Sequence, residues 1–459
     1  MLTKDYINEV KTNGNGNIAK IIEGLKSTSN LSYFLENLGF LPSNFDGNVL
    51  LPYINYNNSN VRFWVVKNLG KLKNVKYIDP LSKVAREDKD SMVRREAVSS
   101  LGRMRNVKNI PVLISLLTDP DPKIIAQAIR GLLVFRGNET VDTHLKQLVH
   151  HPNEFIQQVI QKEYFPKQTN NSHLSHTESY DYLKNVVVNG DVREILQVIP
   201  EDSIHLTFTS PPYYNARDYS IYPSYKAYLQ FLADVFEKVH RVTKEGRFFI
   251  LNTSPIIIPR VSRQHSSKRY PIPFDIHPFL VEMGWEFIDD IVWLKPEASV
   301  KNRNAGFLQH RKPLAYKPNP VTEYLMVYRK KTDKLLDWNI REYEWKIVKE
   351  SKVLGNYETS NVWRIDPTFD KSHSAVFPVE LCNRVIKFYS FKGDVVFDPF
   401  AGSGTMGVAA KALERYFFLT EKDEKYFQII KKNLGSKSLF ANTESRFLSL
   451  NEFKELNKI

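Results

Sequence analysis

The chain has 459 residues, 42% of them hydrophobic and 12% aromatic, which excludes a globally disordered polypeptide and sets an expectation of roughly two to four domains. Its single cysteine, Cys382, excludes an internal disulfide framework and a cysteine-built zinc site, and no metal is expected. Lys and Arg number 64 against 51 Asp and Glu, and this net charge of +13 favours a polyanionic partner such as nucleic acid.

No apolar run is long enough to cross a bilayer, and residues 1–17 lack the apolar core and small-residue cleavage site of a secretory leader. No membrane association is therefore expected, and the expected location is a prokaryotic cytoplasm, associated with the nucleoid. Residues 1–165 read as helical and repetitive. Val61–Gly70, Val93–Gly102 and Ile124–Leu132 are similar apolar-periodic stretches whose leucines, Leu69, Leu101 and Leu132, step by 32 and then 31 residues; a fourth stretch starts at Phe155. Second apolar helices such as Ile110–Leu117 lie between them, and each pair ends in an acidic or proline turn: Glu87–Asp90, Asp119–Pro122, His151–Asn153. A helix pair at this period resembles HEAT-like repeats, stacked because one pair cannot bury its apolar stripe alone. Arg94, Arg95, Arg103 and Arg105 beside these helices suggest that the solenoid extends a DNA-binding surface.

Residues 166–180 are polar and aperiodic and read as a linker; His173 and His176 within it lack companions for a metal site. From Tyr182 onward strands alternate with helices. Strands are expected at Lys184–Val188, Ile204–Thr209, Arg247–Leu251, Asp290–Leu294, Glu323–Tyr328, Asp394–Phe397 and Arg415–Leu419, and helices at Tyr225–Arg241, Pro378–Ser390 and Thr405–Leu413. This alternation predicts an α/β fold, an open and mostly parallel sheet with helices on both faces, whose ligands bind at the carboxyl ends of the strands.

Two motifs follow strands in this region. Asp398-Pro-Phe-Ala-Gly-Ser-Gly-Thr405 is a strand end, an acid, a glycine-rich turn and a helix start: Gly402 and Gly404 allow backbone to approach a ligand, and Asp398 can accept a hydrogen bond from a cationic amino group. Thr209-Ser-Pro-Pro-Tyr213 follows the apolar strand ending at Phe208. An exocyclic amino nitrogen on an aromatic base is a poor nucleophile because its lone pair is delocalised. Ser210 Oγ and the Pro211 carbonyl are suitable acceptors for such an NH2, Pro211 and Pro212 rigidify the loop, and Tyr213 can stack on a flipped base.

Together these motifs resemble the amino-DNA methyltransferases, and their order, with Thr209–Tyr213 ahead of the glycine turn, is similar to the beta class. The resemblance covers about Tyr182–Gly435. It implies a Rossmann-like methyltransferase sheet, S-adenosyl-L-methionine as cofactor and double-stranded DNA as substrate. It assigns Ser210, Pro211, Pro212 and Tyr213 to catalysis. It assigns Asp191, Phe377, Asp398, Phe400, Gly402, Ser403, Gly404, Thr405 and Glu421 to the cofactor: Asp191 for its adenine amino group, Glu421 for its ribose, and the His373–Pro378 segment for its methionine end. The family usually has Gly-x-Glu where this chain has Leu419-Thr-Glu421. Segments Asn319–Tyr324 and Asn361–Arg364 also resemble family segments, without assignable roles. Ser at position 210 goes with cytosine N4 in the family, and Asp there with adenine N6. The implied reaction is N4 methylation of cytosine, with N6 methylation of adenine as the alternative. C5 methylation requires a thiolate, and Cys382 reads as a packed core residue.

Two basic stretches interleaved with aromatics are expected to line the DNA cleft. Arg260, Arg263, Lys268 and Arg269 lie in one; Lys295–Lys317, with Lys301, Arg303, Arg311, Lys312 and Lys317, forms the other. Recognition insertions are expected at about 295–318 and 332–360, inside a catalytic domain of residues 181–459. Three further readings compete: RNA as the substrate, a HEAT scaffold with a dead methyltransferase domain, and a nicotinamide-dependent dehydrogenase. The intact motif residues oppose the second, and the lack of a spaced Gly-x-Gly-x-x-Gly opposes the third. A cognate restriction endonuclease is a candidate partner, and the sequence leaves the oligomeric state open.

Overall fold

The computed structural model describes every residue except 1, 13–14, 26, 43–44, 166–173, 215–221, 259–261, 263, 266–267, 300–312, 315–319, 369–376, 436–443 and 457–459. It divides into two compact units, Met1–Thr169 and Asn170–Ile459.

The first unit is helical. Its repeats are built from helices Ser59–Lys71, Ile78–Glu87, Ser91–Met104, Ile110–Ser115, Pro122–Leu132, Glu139–Gln147 and Glu154–Tyr164. Val61, Val65, Leu69, Val93, Ala97, Leu101, Ile124, Ala128 and Leu132, spaced four apart within each helix, are fully buried in one core. The polar turns are helix caps. Asn58, Asp90, Asp121 and Asn153 each accept from backbone N–H groups of the helix that follows, which satisfies donors the helix itself leaves unpaired. The residue two positions earlier in turn receives the cap's own N–H: Asp90 donates to Asp88 (2.8 Å), Asp121 to Asp119 (2.8 Å) and Asn153 to His151 (3.0 Å). Arg62 grips Asp88 with two bonds of 2.7 and 2.8 Å, and Arg94 pairs with Asp119, so an arginine of one repeat holds the turn of the next. Arg95 pairs with Asp121 and Arg103 with Glu96. The arginines expected to face DNA are thus engaged within the solenoid, apart from Arg105, which ends its helix with a φ of 51°.

The second unit is an α/β sheet. Its strands are β1 (Val186–Asn189), β2 (Ile204–Thr209), β3 (Thr243–Thr253), β4 (Ile256–Ile258), β5 (Lys268–Tyr270), β6 (Trp285–Leu294), β7 (Thr322–Lys330), β8 (Val362–Arg364), β9 (Val395–Asp398), β10 (Tyr416–Glu421) and β11 (Arg446–Ser449). Nine form one sheet in the order β11-β1-β10-β9-β2-β3-β7-β6-β8, while β4 and β5 make a separate hairpin. All pairings in the nine-stranded sheet are parallel except those of β7 with β3 and β6. Alternate residues of the buried strands face two cores: Val186 and Val188 enter one, Val187 the other. Helices Tyr225–Val242 and Ile272–Glu282 close the first core, and Val379–Tyr389, Thr405–Ala412 and Glu424–Leu434 the second. The first strand starts at Val186 rather than Lys184, and β3 and β6 run further than their apolar runs suggest.

Two expectations change. Of the stretch read as a linker, residues 174–180 pack on this unit: Ser179 Oγ donates to the Ser203 carbonyl (2.7 Å), and Lys244 Nζ to that of Ser175 (3.0 Å). His176 lies against Trp338 with 4.9 Å between centroids and pairs with the Asn339 amide at 3.0 Å; His173 lies outside the described residues. Of the segment 332–360, expected to read DNA, residues 339–343 are anchored at the amino ends of the strands, while Glu358 accepts from Arg364 N–H beside the carboxyl end of β6. The segment contains helices Leu336–Arg341 and Trp345–Glu350. Tyr343 donates to Asp394, which immediately precedes β9 and is also paired with the buried Arg247. Asn339 donates to the Glu245 carbonyl near the start of β3. The ligand-binding edge of such a sheet is the opposite one.

Candidate active site

The two motifs meet because β9 and β2 are neighbours in the sheet, with Val396 and Phe397 beside Leu206 and Thr207. Both strands are fully buried and deliver their last residues, Asp398 and Thr209, to the same edge. Thr209 Oγ1 donates to Asp398 Oδ1 at 2.6 Å, and Phe400 N–H donates to the same oxygen at 3.1 Å. Asp398 is 2% exposed and has no ion pair with a described residue. Burial pushes its carboxyl up to about 7, against these two hydrogen bonds.

The chain then turns into helix Thr405–Ala412. Gly404, its N-cap, has a φ of 80°, and a Cβ there would stand 3.0 Å from Ile430 Cγ2. Gly402 N–H donates to Glu421 Oε2 at 2.9 Å, and Glu421 Oε1 accepts from Asp423 N–H at 2.9 Å. Glu421 ends β10, and burial raises its carboxyl above the usual range. Next door, Gly190 N–H donates to the Glu421 carbonyl at 3.0 Å, which places Asp191 just past the end of β1. Asp191 caps helix Val192–Gln197 and is gripped by Arg193 through Nε (3.0 Å) and Nη2 (2.8 Å), with Lys422 Nζ at 3.3 Å. The Arg193 hydrogen bonds hold its carboxyl well below the usual range. Phe400 lies 6.0 Å from Phe231, Phe377 stacks on Phe208 at 4.6 Å, and Ser403 Oγ pairs with Thr405 Oγ1 at 3.2 Å. A buried carboxylate with no cation partner among the described residues, two acids at adjacent strand ends and a turn with room only for glycine at 404 fit the ammonium, adenosine and chain of S-adenosylmethionine.

Past Thr209, Pro211 is buried while Ser210, Pro212 and Tyr213 are partly exposed. Tyr213 Oη donates to Glu323 Oε2 at 3.2 Å. Burial, and next the Glu323 carboxylate, push this phenol well above its usual range, opposed by hydrogen bonds with Ser254 and Ser210. Asn252 Nδ2 also donates to Glu323 Oε2, at 2.6 Å, and Lys295 pairs with Oε1. Asn252 escapes the sequence reading, Glu323 is signalled only by the unassigned resemblance of Asn319–Tyr324, and Thr209 stands there as the first residue of its motif without a role. Lys295 was expected at the DNA cleft and is instead held by Glu323.

Lys268 and Arg269 are exposed on β5. Arg260, Arg263, Lys301, Arg303, Arg311, Lys312 and Lys317 lie outside the described residues. Cys382 is fully buried, and burial pushes its thiol well above the usual range, which disfavours the thiolate that ring methylation needs. Among the described residues no group of three or more His, Cys, Asp or Glu could hold a metal ion, and no helix is long and apolar enough to cross a membrane.

A family model described as DNA methylase matches residues 204–432, and one for HEAT repeats matches 48–102 and 78–162. The chain is 30% identical over 260 residues to the type II methyltransferase M.ScaI of Streptomyces caespitosus, which is 53% of this chain and 79% of that protein. It is 25% identical over 276 residues to the type II beta methyltransferase M.BslI of Bacillus sp. (strain NEB-606); this is 58% of the chain but 29% of M.BslI, so the chain spans less than a third of that relative. Among solved structures, the PvuII DNA methyltransferase (cytosine-N4-specific) aligns with a TM-score of 0.41 and 17% identity, over 63% of this chain and 95% of that one. With its two motifs side by side and 79% of M.ScaI matched at 30% identity, the chain belongs to the N6/N4 DNA methylase family.

Proposed function

We propose that this chain is an S-adenosylmethionine-dependent DNA methyltransferase that modifies N4 of a flipped cytosine. The observation that carries the reading is the hydrogen bond from Thr209 to Asp398, which ties the catalytic loop to the cofactor turn at one sheet edge. S-adenosylmethionine supplies a methyl group already activated on a sulfonium. The chain's work is to position, to exclude water and to accept hydrogen bonds from the target amino group, whose surplus proton passes to solvent after methyl transfer. Asp398 receives the cofactor's ammonium, Glu421 its ribose and Asp191 its adenine amino group, with Phe400 and Phe377 as apolar walls and Ser403 and Thr405 bordering the turn. Ser210 Oγ and the Pro211 carbonyl accept from the target NH2 and draw its lone pair out of the ring; the prolines hold these acceptors ready before the reaction. Tyr213 stacks on the base. Lys268 and Arg269 on the hairpin, together with the basic residues of the flanking loops, contact DNA phosphates.

Serine at position 210 supports cytosine. Adenine N6 is the second reading, because the matching family spans both reactions. The type II names of the relatives support a restriction–modification setting in a prokaryotic cytoplasm, at the nucleoid, with a nuclease as functional partner. The test is nucleoside mass spectrometry on mixed-sequence DNA incubated with labelled S-adenosylmethionine. N4-methylcytosine is the expected product, and Ser210→Ala should lower the rate by about a hundredfold or more. N6-methyladenine would overturn the base assignment, and label in RNA alone would overturn DNA as the substrate.

A further inference from the structure

Three donors converge on one carboxylate at the catalytic edge. Glu323 is the second residue of β7, and its side chain is 18% exposed. Oε2 accepts from Asn252 Nδ2 at 2.6 Å and from Tyr213 Oη at 3.2 Å, while Oε1 is paired with Lys295. The sheet fixes most of this cluster. Glu323 is paired with Trp293 across β6 and β7, Asn252 with Leu325 across β3 and β7, and Lys295 N–H donates to the Val321 carbonyl at 2.8 Å. Lys295 Nζ also lies 4.4 Å from the centre of the Trp293 ring. Acceptor and two donors therefore sit on or beside hydrogen-bonded strands, whereas Tyr213 belongs to the loop beyond β2.

We propose that Glu323 is a positioning residue, which fixes the ring of Tyr213 against the target base through the phenol hydroxyl. This deepens the reading above and rests on it. The two prolines ahead of Tyr213 restrict its backbone but leave its side-chain torsions free. The hydroxyl also meets Ser254 and Ser210, and of its three partners Glu323 is the charged one, which Lys295 and Asn252 already immobilise. The stacking plane is then set before the base arrives, and no reorganisation is left for the reaction itself. A neutral amide at 323 has one acceptor oxygen for three donors, so it leaves Lys295 or the Tyr213–Asn252 pair unsatisfied.

The experiment uses the full chain and follows labelled methyl transfer to mixed-sequence DNA. Wild type is compared with Glu323→Gln, Glu323→Asp, Tyr213→Phe and the Glu323→Gln/Tyr213→Phe double variant, with S-adenosylmethionine affinity measured by calorimetry. Glu323→Gln should lower kcat about ten-fold or more and leave cofactor affinity within about two-fold. It should add little to Tyr213→Phe, because both remove the same bond. Glu323→Asp, which restores the charge, should recover part of the rate. Unchanged kcat in Glu323→Gln, or losses that multiply in the double variant, overturns the positioning role. If Glu323→Gln does not fold, Glu323→Asp decides, because the Tyr213 hydroxyl also meets Ser254 and Ser210: a kcat lowered by Glu323→Asp at unchanged cofactor affinity in the Tyr213 background but not in the Tyr213→Phe background supports the role, and equal losses in both backgrounds overturn it. A wild type that binds cofactor but labels no DNA overturns the proposed function and this role with it; an active wild type with an indifferent Glu323→Gln overturns only the role.

Discussion

Asp398 is poised between its neutral and ionised forms near pH 7. Its carboxyl is raised to about 7 by burial, so the folded protein binds that proton more tightly than the unfolded chain does. Between the usual carboxylate range and pH 7 this group therefore lowers folding stability as pH rises. A cationic amino group brought beside it favours the ionised form. Below about pH 7.7, where the cofactor's own α-amino group begins to lose its proton, S-adenosylmethionine affinity should accordingly strengthen as pH rises toward 7. Asp398→Asn should weaken binding by about ten- to hundred-fold and flatten that profile, as read by calorimetry at a series of pH values. A sloped profile persisting in the variant would assign the titration to another group. Thr209→Val should leave Asp398 without its shortest hydrogen bond and move the midpoint of the same profile upward.

At the scale of elements, the repeats are stitched by caps and by close crossings. An added Cβ at Gly102 would lie 2.9 Å from Gly131 Cα, so the helices Ser91–Met104 and Pro122–Leu132 meet backbone to backbone. Gly102→Val should destabilise the first unit by about 1–3 kcal/mol, seen as a lower denaturant midpoint in that unit. The sequence announced these helices because their period repeats, and it announced β2 and β9 because an alternating stretch, Ile204–Phe208, and an apolar run, Val395–Phe397, end in motif residues. It did not announce the partners of the chemistry. Tyr213 and Glu323 are 110 residues apart, and Arg247 and Asp394 are 147 apart; such pairs are made by sheet order, which no local pattern encodes. The charged, aromatic 332–360 segment misled for the same reason: Tyr343 is polar in composition yet spends its hydroxyl on a buried Asp394 at the far end of the sheet. Three-residue strands such as β8 fall below the length at which alternation is visible.

For the molecule as a whole, each unit buries its own core: Ile7 to Ile160 in the first, and two clusters between Leu183 and Phe453 in the second. Since Arg62, Arg94, Arg95 and Arg103 are paired with Asp88, Asp119, Asp121 and Glu96, they are not free to neutralise phosphates. With Arg105 the one of the expected arginines that has no ion pair among the described residues, a chain lacking residues 1–169 should bind DNA with a dependence of log K on log salt changed by less than about one charge. A slope shallower by about one charge or more would place the repeats on DNA after all.

The second unit also returns to its own beginning. Arg446 N–H donates to the Asn185 carbonyl at 2.9 Å, and its guanidinium to the Asp181 carbonyl at 2.7 Å, as β11 pairs with β1. The first and last described strands of this sheet are thus neighbours at one edge, and since the helical repeats precede the first of them in sequence, no described strand is interrupted to admit them. The join between the repeats and this sheet is one stretch of backbone ahead of Asp181, and exchanging the repeats there leaves the order of the described strands unaltered.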